Sequence, residues 1–148
     1  MTPTSAQAEY VTAHTDLHSE QGTVRGDRAS RAKNPVIKVE GLAWLEFEKP
    51  DLNRAEAFAR DFGLAVHART DDTLYLRGAL PGTHALVVRR GPQSRFLGAA
   101  FRAGSASDLQ RLAGSTGSSV ESIPGQGGGR AVSLLDPSGF TVQVVHGV

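Results

Sequence analysis

Gly41-Leu-Ala-Trp-Leu-Glu-Phe-Glu-Lys-Pro-Asp-Leu52 alternates in polarity before it turns. Ala43, Leu45 and Phe47 fall on one face and Trp44, Glu46 and Glu48 on the other, the period of a half-buried strand. Asp51 is placed to cap a following helix over Asn53–Phe62, whose apolar stripe is Leu52, Ala55, Phe58, Ala59 and Phe62. Gly63 stops that helix.

Strands are then predicted at Ala65–Arg69, Thr73–Arg77 and His84–Arg89, divided by the Asp71-Asp72 and Pro81-Gly82 turns. The order recurs further on. Phe96–Ala103 reads as a strand, and Ser107 as the cap of a short helix carrying Leu109 and Leu112 and ending near Gly114. Val120–Ile123, Arg130–Leu135 and Phe140–His146 follow as strands, with Asp136-Pro-Ser-Gly139 as the last turn. Two β-α-β-β-β units, at about 38–92 and 93–147, make an internal repeat and an α+β fold. Each unit covers one sheet face with its helix and leaves the other open for pairing.

Together with the closing stretch Leu135-Asp-Pro-Ser-Gly-Phe-Thr-Val-Gln-Val-Val145, the opening stretch resembles the signatures of the vicinal oxygen chelate superfamily. That superfamily includes glyoxalase I, bleomycin-resistance proteins and type I extradiol dioxygenases. The resemblance implies a cup formed by the two repeats. In metal-dependent members a His from the first strand of each repeat and a Glu from the last strand hold a divalent ion, a Lewis acid and template for vicinal oxygens. Carried over residue by residue, those positions read Trp44, Gly98 (or its close neighbours) and Gln143. An indole N–H only donates, glycine has no side chain, and a neutral amide is a weak ligand for iron or zinc. The expectation is therefore a cup without a metal or catalytic residue of its own.

Asp72-Thr-Leu-Tyr-Leu-Arg77 and His84-Ala-Leu-Val-Val88 are similar to the first half of extradiol dioxygenases, as is the ending Val144-Val-His-Gly147. What that resemblance implies is an oxidoreductase of aromatic catabolism with two cups, the first lacking ligands and the second holding Fe(II) or Mn(II). This chain would be the first cup, non-catalytic by itself, in a structural or substrate-access role. Two alternatives stand beside it. One is a free-standing, metal-free binding protein of the bleomycin-resistance type, taking a small aromatic ligand. The other is a metal-independent enzyme using Glu46, which points into the cup beside Trp44; its bland counterpart is a pair with an arginine such as Arg77 or Arg130, or a place at the wet rim. Trp44, Glu46, Gly98 and Gln143 are the expected cup lining, and Glu46 and Gln143 are expected to bond each other or water.

Other motifs offer less. His67, His84 and His146 stand at no adjacent positions of the repeat and are each expected as a hydrogen-bonded or exposed imidazole, and Arg89-Arg90 as a solvated strand end. Gly127-Gly-Gly129-Arg130 precedes a strand rather than a helix, which speaks against a phosphate loop.

Composition sets outer bounds. A chain of 148 residues can bury a single-domain core. A net charge of +1 gives no reason to expect a nucleic-acid partner or an anionic membrane. The absence of cysteine removes disulfides and thiolate chemistry and fits a cytoplasmic protein. Residues 1–35 are polar and balanced in charge, so a disordered tail is expected before a cup domain at 36–148. His14 and His18 within that tail have helical spacing but no third ligand. Open strand edges lead to the expectation of a homodimer or of pairing with a second cup.

Overall fold

The computed structural model describes residues 35–124 and 128–148. Expectations for the tail, including His14 and His18, and for Gly127 lie outside the described residues. Strand β1 (Val39–Lys49) leads into helix α1 (Leu52–Asp61), then β2 (Ala65–Arg69), β3 (Thr73–Arg77) and β4 (Leu86–Arg90). The second unit repeats the order with β5 (Arg95–Ala103), α2 (Ala106–Thr116), β6 (Glu121–Ser122), β7 (Arg130–Leu135) and β8 (Thr141–His146). No helix among the described residues is long and apolar enough to cross a membrane.

All eight strands form one sheet in the order β2-β3-β4-β1-β5-β8-β7-β6. In each unit the last strand lies parallel to the first, β4 on β1 and β8 on β5. The units join through β1 and β5, which run antiparallel about Leu45 and Ala99. This is an internal pseudo-twofold. Trp44 pairs with Ala100 and Glu46 with Gly98. Position 44 of the first unit thus corresponds to 98 of the second, and 46 to 100. The same correspondence equates Val87, which pairs with Glu46, and Gln143, which pairs with Ala100.

Each helix covers its own half-sheet. Asp51 accepts from the backbone N–H groups of Asn53 and Arg54 and starts α1 as expected. Leu52 and Ala59 of α1 pack on Leu74, Leu76 and Val88 of the sheet, and each fully buried leucine contributes roughly 1.5–3 kcal/mol. Leu109, Leu112 and Ala113 of α2 pack on Ala103, Val132 and Val144 of the sheet. The opposite sheet face holds a third cluster around Trp44, Val87, Ala100, Ala131 and Val145.

Several boundaries differ from the sequence reading. The cap of α2 is Ser105 rather than Ser107, because Asp108 completes a reciprocal cap: its N–H donates to the Ser105 hydroxyl, which donates to the Asp108 carboxylate. The helix runs past Gly114 to Gly117, where φ of 68° permits the left-handed C-terminal turn. His84 precedes β4, and Phe140 belongs to the Asp136–Gly139 turn. Phe58 and Phe62 are 70% and 73% exposed and stack on each other with centroids 6.1 Å apart. The stripe of α1 is wider than the sheet beneath it, which covers only the Leu52–Ala59 line.

Candidate functional site: the cup interior

The pleat sends Trp44, Glu46, Val87, Ala100, Ala131, Ser133 and Gln143 to the face away from the helices. Residues of β1, β3, β4, β7 and β8, on both halves of the sheet, together with Glu121–Pro124, line a half-open cavity of ≈ 190 Å³ there. The sheet therefore curves around it. Trp44, Glu46 and Gln143 line this cavity, together with Tyr75, His84, Arg89 and Ser133. Gly98 lines a neighbouring cavity of ≈ 620 Å³ with Glu46, Gln143, Arg95, Phe96 and Phe140. Three of the four expected lining residues thus meet in the inner cavity, while Gly98 opens onto the outer one.

Glu46 is held from two sides. Trp44 Nε1 donates to its Oε1 at 3.1 Å, and Arg89 Nε donates to its Oε2 at 3.0 Å. The expected pairing of Glu46 with an arginine is therefore present, but through Arg89 of β4, the parallel neighbour of β1, rather than through Arg77 or Arg130. The strand end is exposed as expected, and its Arg89 also adds a cation to the cavity lining. That carboxylate in turn holds the Arg89 guanidinium more firmly protonated than usual. Gln143 donates through Nε2 to the Ser133 hydroxyl at 3.2 Å, across the β7–β8 pair, rather than bonding Glu46.

His84 is the group that sequence reasoning missed. It is 4% exposed, its ring centroid lies 4.8 Å from Trp44 and 5.2 Å from Tyr75, and His67 stands 6.1 Å away. His84 is thus buried against His67 rather than exposed. Burial, reinforced by the charge of His67 and opposed by Glu46, holds the His84 pKa below its ordinary 6.5, so the ring is neutral at pH 7. Its Nδ1 is buried and has no hydrogen-bond partner among the described residues. His146, by contrast, sits near the Ala103 carbonyl, 3.3 Å from Nδ1.

A divalent ion does not fit this donor set. The four corresponding inward positions hold Trp44, Val87, Gly98 and Gln143. Trp44 donates to Glu46, Val87 is hydrocarbon, and Gln143 offers only a neutral amide oxygen, a weak ligand for a divalent transition metal. At Gly98 even a Cβ would come within 1.9 Å of the Thr141 carbonyl oxygen, so no side chain could project from it. Among the described residues no group of three or more His, Cys, Asp or Glu side chains is gathered for an ion.

Solved structures share this architecture. An extradiol ring-cleaving dioxygenase from Brevibacterium fuscum matches with a TM-score of 0.68 and 24% identity, over 82% of this chain and 36% of that one. Homoprotocatechuate 2,3-dioxygenase from the same organism, in complex with 3,4-dihydroxyphenylacetate, matches with TM-score 0.68 and 24% identity, over 82% and 40% of the two chains. A Mn(II)-bound glyoxalase from Novosphingobium aromaticivorans matches with TM-score 0.65 and 21% identity, over 74% and 39%. The fold is the vicinal oxygen chelate fold. The α+β class and the paired repeats expected from the sequence agree with it. The chain spans 36–40% of the length of these vicinal oxygen chelate structures. No protein-family model and no curated protein matches it.

Proposed function

We propose that this chain is a metal-free vicinal oxygen chelate cup, non-catalytic by itself, that stands beside a catalytic cup as the first cup of an extradiol dioxygenase does. One observation carries this reading: the backbone at Gly98 leaves no room for a ligand side chain, so a single substitution could not restore the site. The likeness to about a third of a dioxygenase chain supports it further. Fe(II) or Mn(II) would then belong to the partnering cup. Pairing would be with that cup or with a second copy of this chain, in the cytoplasm.

The test is anaerobic reconstitution of the purified chain with Fe(II) or Mn(II), followed by elemental analysis and a catechol ring-opening assay. Metal well below one equivalent and no yellow product are expected. Stoichiometric metal, or ring-opened product from this chain alone, would overturn the reading.

A second reading, a free-standing protein that binds a small aromatic molecule, is favoured by the aromatic side chains Trp44, Tyr75 and His84 gathered on the inner cavity. The ≈ 190 Å³ cavity is smaller than the roughly 300–1,000 Å³ of drug-sized sites, so the ligand would have to be small. Acid–base catalysis by Glu46 is the weakest reading, since both carboxylate oxygens already accept hydrogen bonds.

A further inference from the structure

We propose that the outer face of α1 is a self-association surface, on which a second copy of this chain packs its own α1 antiparallel about a twofold axis between Ala57 and Phe58. The face lies on the side of the sheet away from the cup, so the inference goes beyond the reading given above and holds whatever the cup contains. Arg54, Ala57, Phe58 and Asp61, three and four positions apart, form the exposed ridge opposite the buried Leu52–Ala59 line. The first support is apolar. Phe58 stacks on Phe62, and both rings are largely exposed, which makes a joined patch rather than a scattered single side chain.

Charge decides the occupant. One flank of α1 is closed on itself, with Glu56 bound to Arg60 and Arg69 and the Asn53 amide oxygen accepting from Arg69. The ridge itself carries Arg54 and Asp61, two turns apart and beyond the reach of an i,i+4 pair. Neither enters an ion pair among the described residues. Their order also opposes the helix dipole: the cation stands in the first turn and the anion at the C-terminal end, where the reverse would stabilise α1. The isolated helix therefore supplies no reason for the arrangement. An antiparallel copy does. It sets Arg54 of each chain against Asp61 of the other, twice over, and Phe58 of each against the small Ala57 of the other. Acid and base are equally far from the axis, as a surface that recognises itself requires.

One helix pair is small for an interface, so a weak dimer is expected, with a dissociation constant on the order of 100 µM. Dilute solutions then hold the monomer, in which Phe58 meets solvent. Sedimentation equilibrium of the full chain between about 10 and 500 µM brackets that constant and should show the dimer forming. Arg54→Glu and Asp61→Arg, each alone, set like charges against each other and should weaken association about tenfold or more. Combined, they exchange the charges and should restore it to within about threefold of the unaltered chain. Phe58→Ser should abolish it. Melting in dilute solution checks that each variant folds, and the combined variant, its charges now matched to the helix dipole, should melt no lower than the unaltered chain. A monomer throughout the range overturns the proposal, as do single reversals that associate like the unaltered chain or a combined variant that stays as weak as either. A monomer that sediments with phosphatidylglycerol vesicles, and loses that binding in Phe58→Ser, assigns the face to a membrane and overturns the proposal too.

Discussion

The two halves of the sheet share a backbone plan and fill it oppositely. On the first half the inward face carries Trp44, Tyr75 and His84, with His67 close by. On the second the corresponding face carries Gly98, Ala100, Ala131, Ser133 and Gln143. Large meets small across the pseudo-twofold, with Trp44 opposite Ala100. A repeat fixes where side chains can stand, and the choice of side chain decides whether the shared centre holds an ion, a cavity or a packed core. Here the aromatic half narrows the cup, and the small half leaves the remaining space.

Removing mass from the filled half should have the largest effect. Trp44 is 5% exposed, and Trp44→Ala is expected to cost about 3–5 kcal/mol in chemical denaturation. The corresponding change on the other half adds mass. Gly98→Ala drives a Cβ against the Thr141 carbonyl oxygen and is expected to cost up to about 3 kcal/mol, by forcing β5 and β8 apart. If Gly98→Ala proves neutral, the close approach of the two strands is not as described and the contrast between the halves weakens.

A smaller effect comes from proton binding on the filled half. The unfolded chain binds a proton on His84 near its ordinary 6.5, and the folded protein only at lower pH. Stability is therefore full above about pH 6.5 and falls as pH drops through that value toward the folded pKa. Glu48, held below its usual range by hydrogen bonds from Arg95 and the Gln93 N–H, and Glu56, held by Arg60 and Arg69, add a loss that begins only below about pH 4.5. Urea titrations between about pH 5 and 8 should show the first loss, and His84→Gln should remove it. An unchanged slope in that variant would take His84 out of the account.

The smallest effect is expected on the outer surface of α1. Phe58 touches solvent rather than the sheet, so Phe58→Ser should change stability by no more than about 0.5 kcal/mol. A loss beyond about 1 kcal/mol, growing with protein concentration, would show that this face is covered in an assembly.

Much of the fold was legible because its signals are local. Alternation in β1 placed Trp44 and Glu46 on one face, and Asp51 marked the start of α1. The caps of α2 were less legible, since Ser105 and Ser107 are equally good oxygens and only the reciprocal bond with Asp108 separates them. The site was read in part. Its positions followed from counting along the strands, but its partners did not. Arg89 reaches Glu46 because β4 lies parallel to β1, a pairing that spans over forty residues and leaves no local trace. His84 enters the cup from the segment before β4, where no period constrains direction. Tyr75 could have been found: Leu74 and Leu76 are claimed by the α1 core, which leaves the residue between them for the cup.

The sheet order also sets how the chain must assemble. Its rims are hairpins between sequence neighbours, β2 with β3, β3 with β4, and β7 with β8. Its centre contains none: β4 on β1, β1 on β5 and β8 on β5 each join strands distant in sequence. Closing such loops loses chain entropy before any contact is gained, which slows folding in proportion to the reach of the contacts. The rims therefore form early, and the rate-limiting step joins them through β1 and β5. Substitutions at Leu45 or Ala99, on the axis of the repeat, should slow refolding, whereas those in the β7–β8 turn should chiefly speed unfolding.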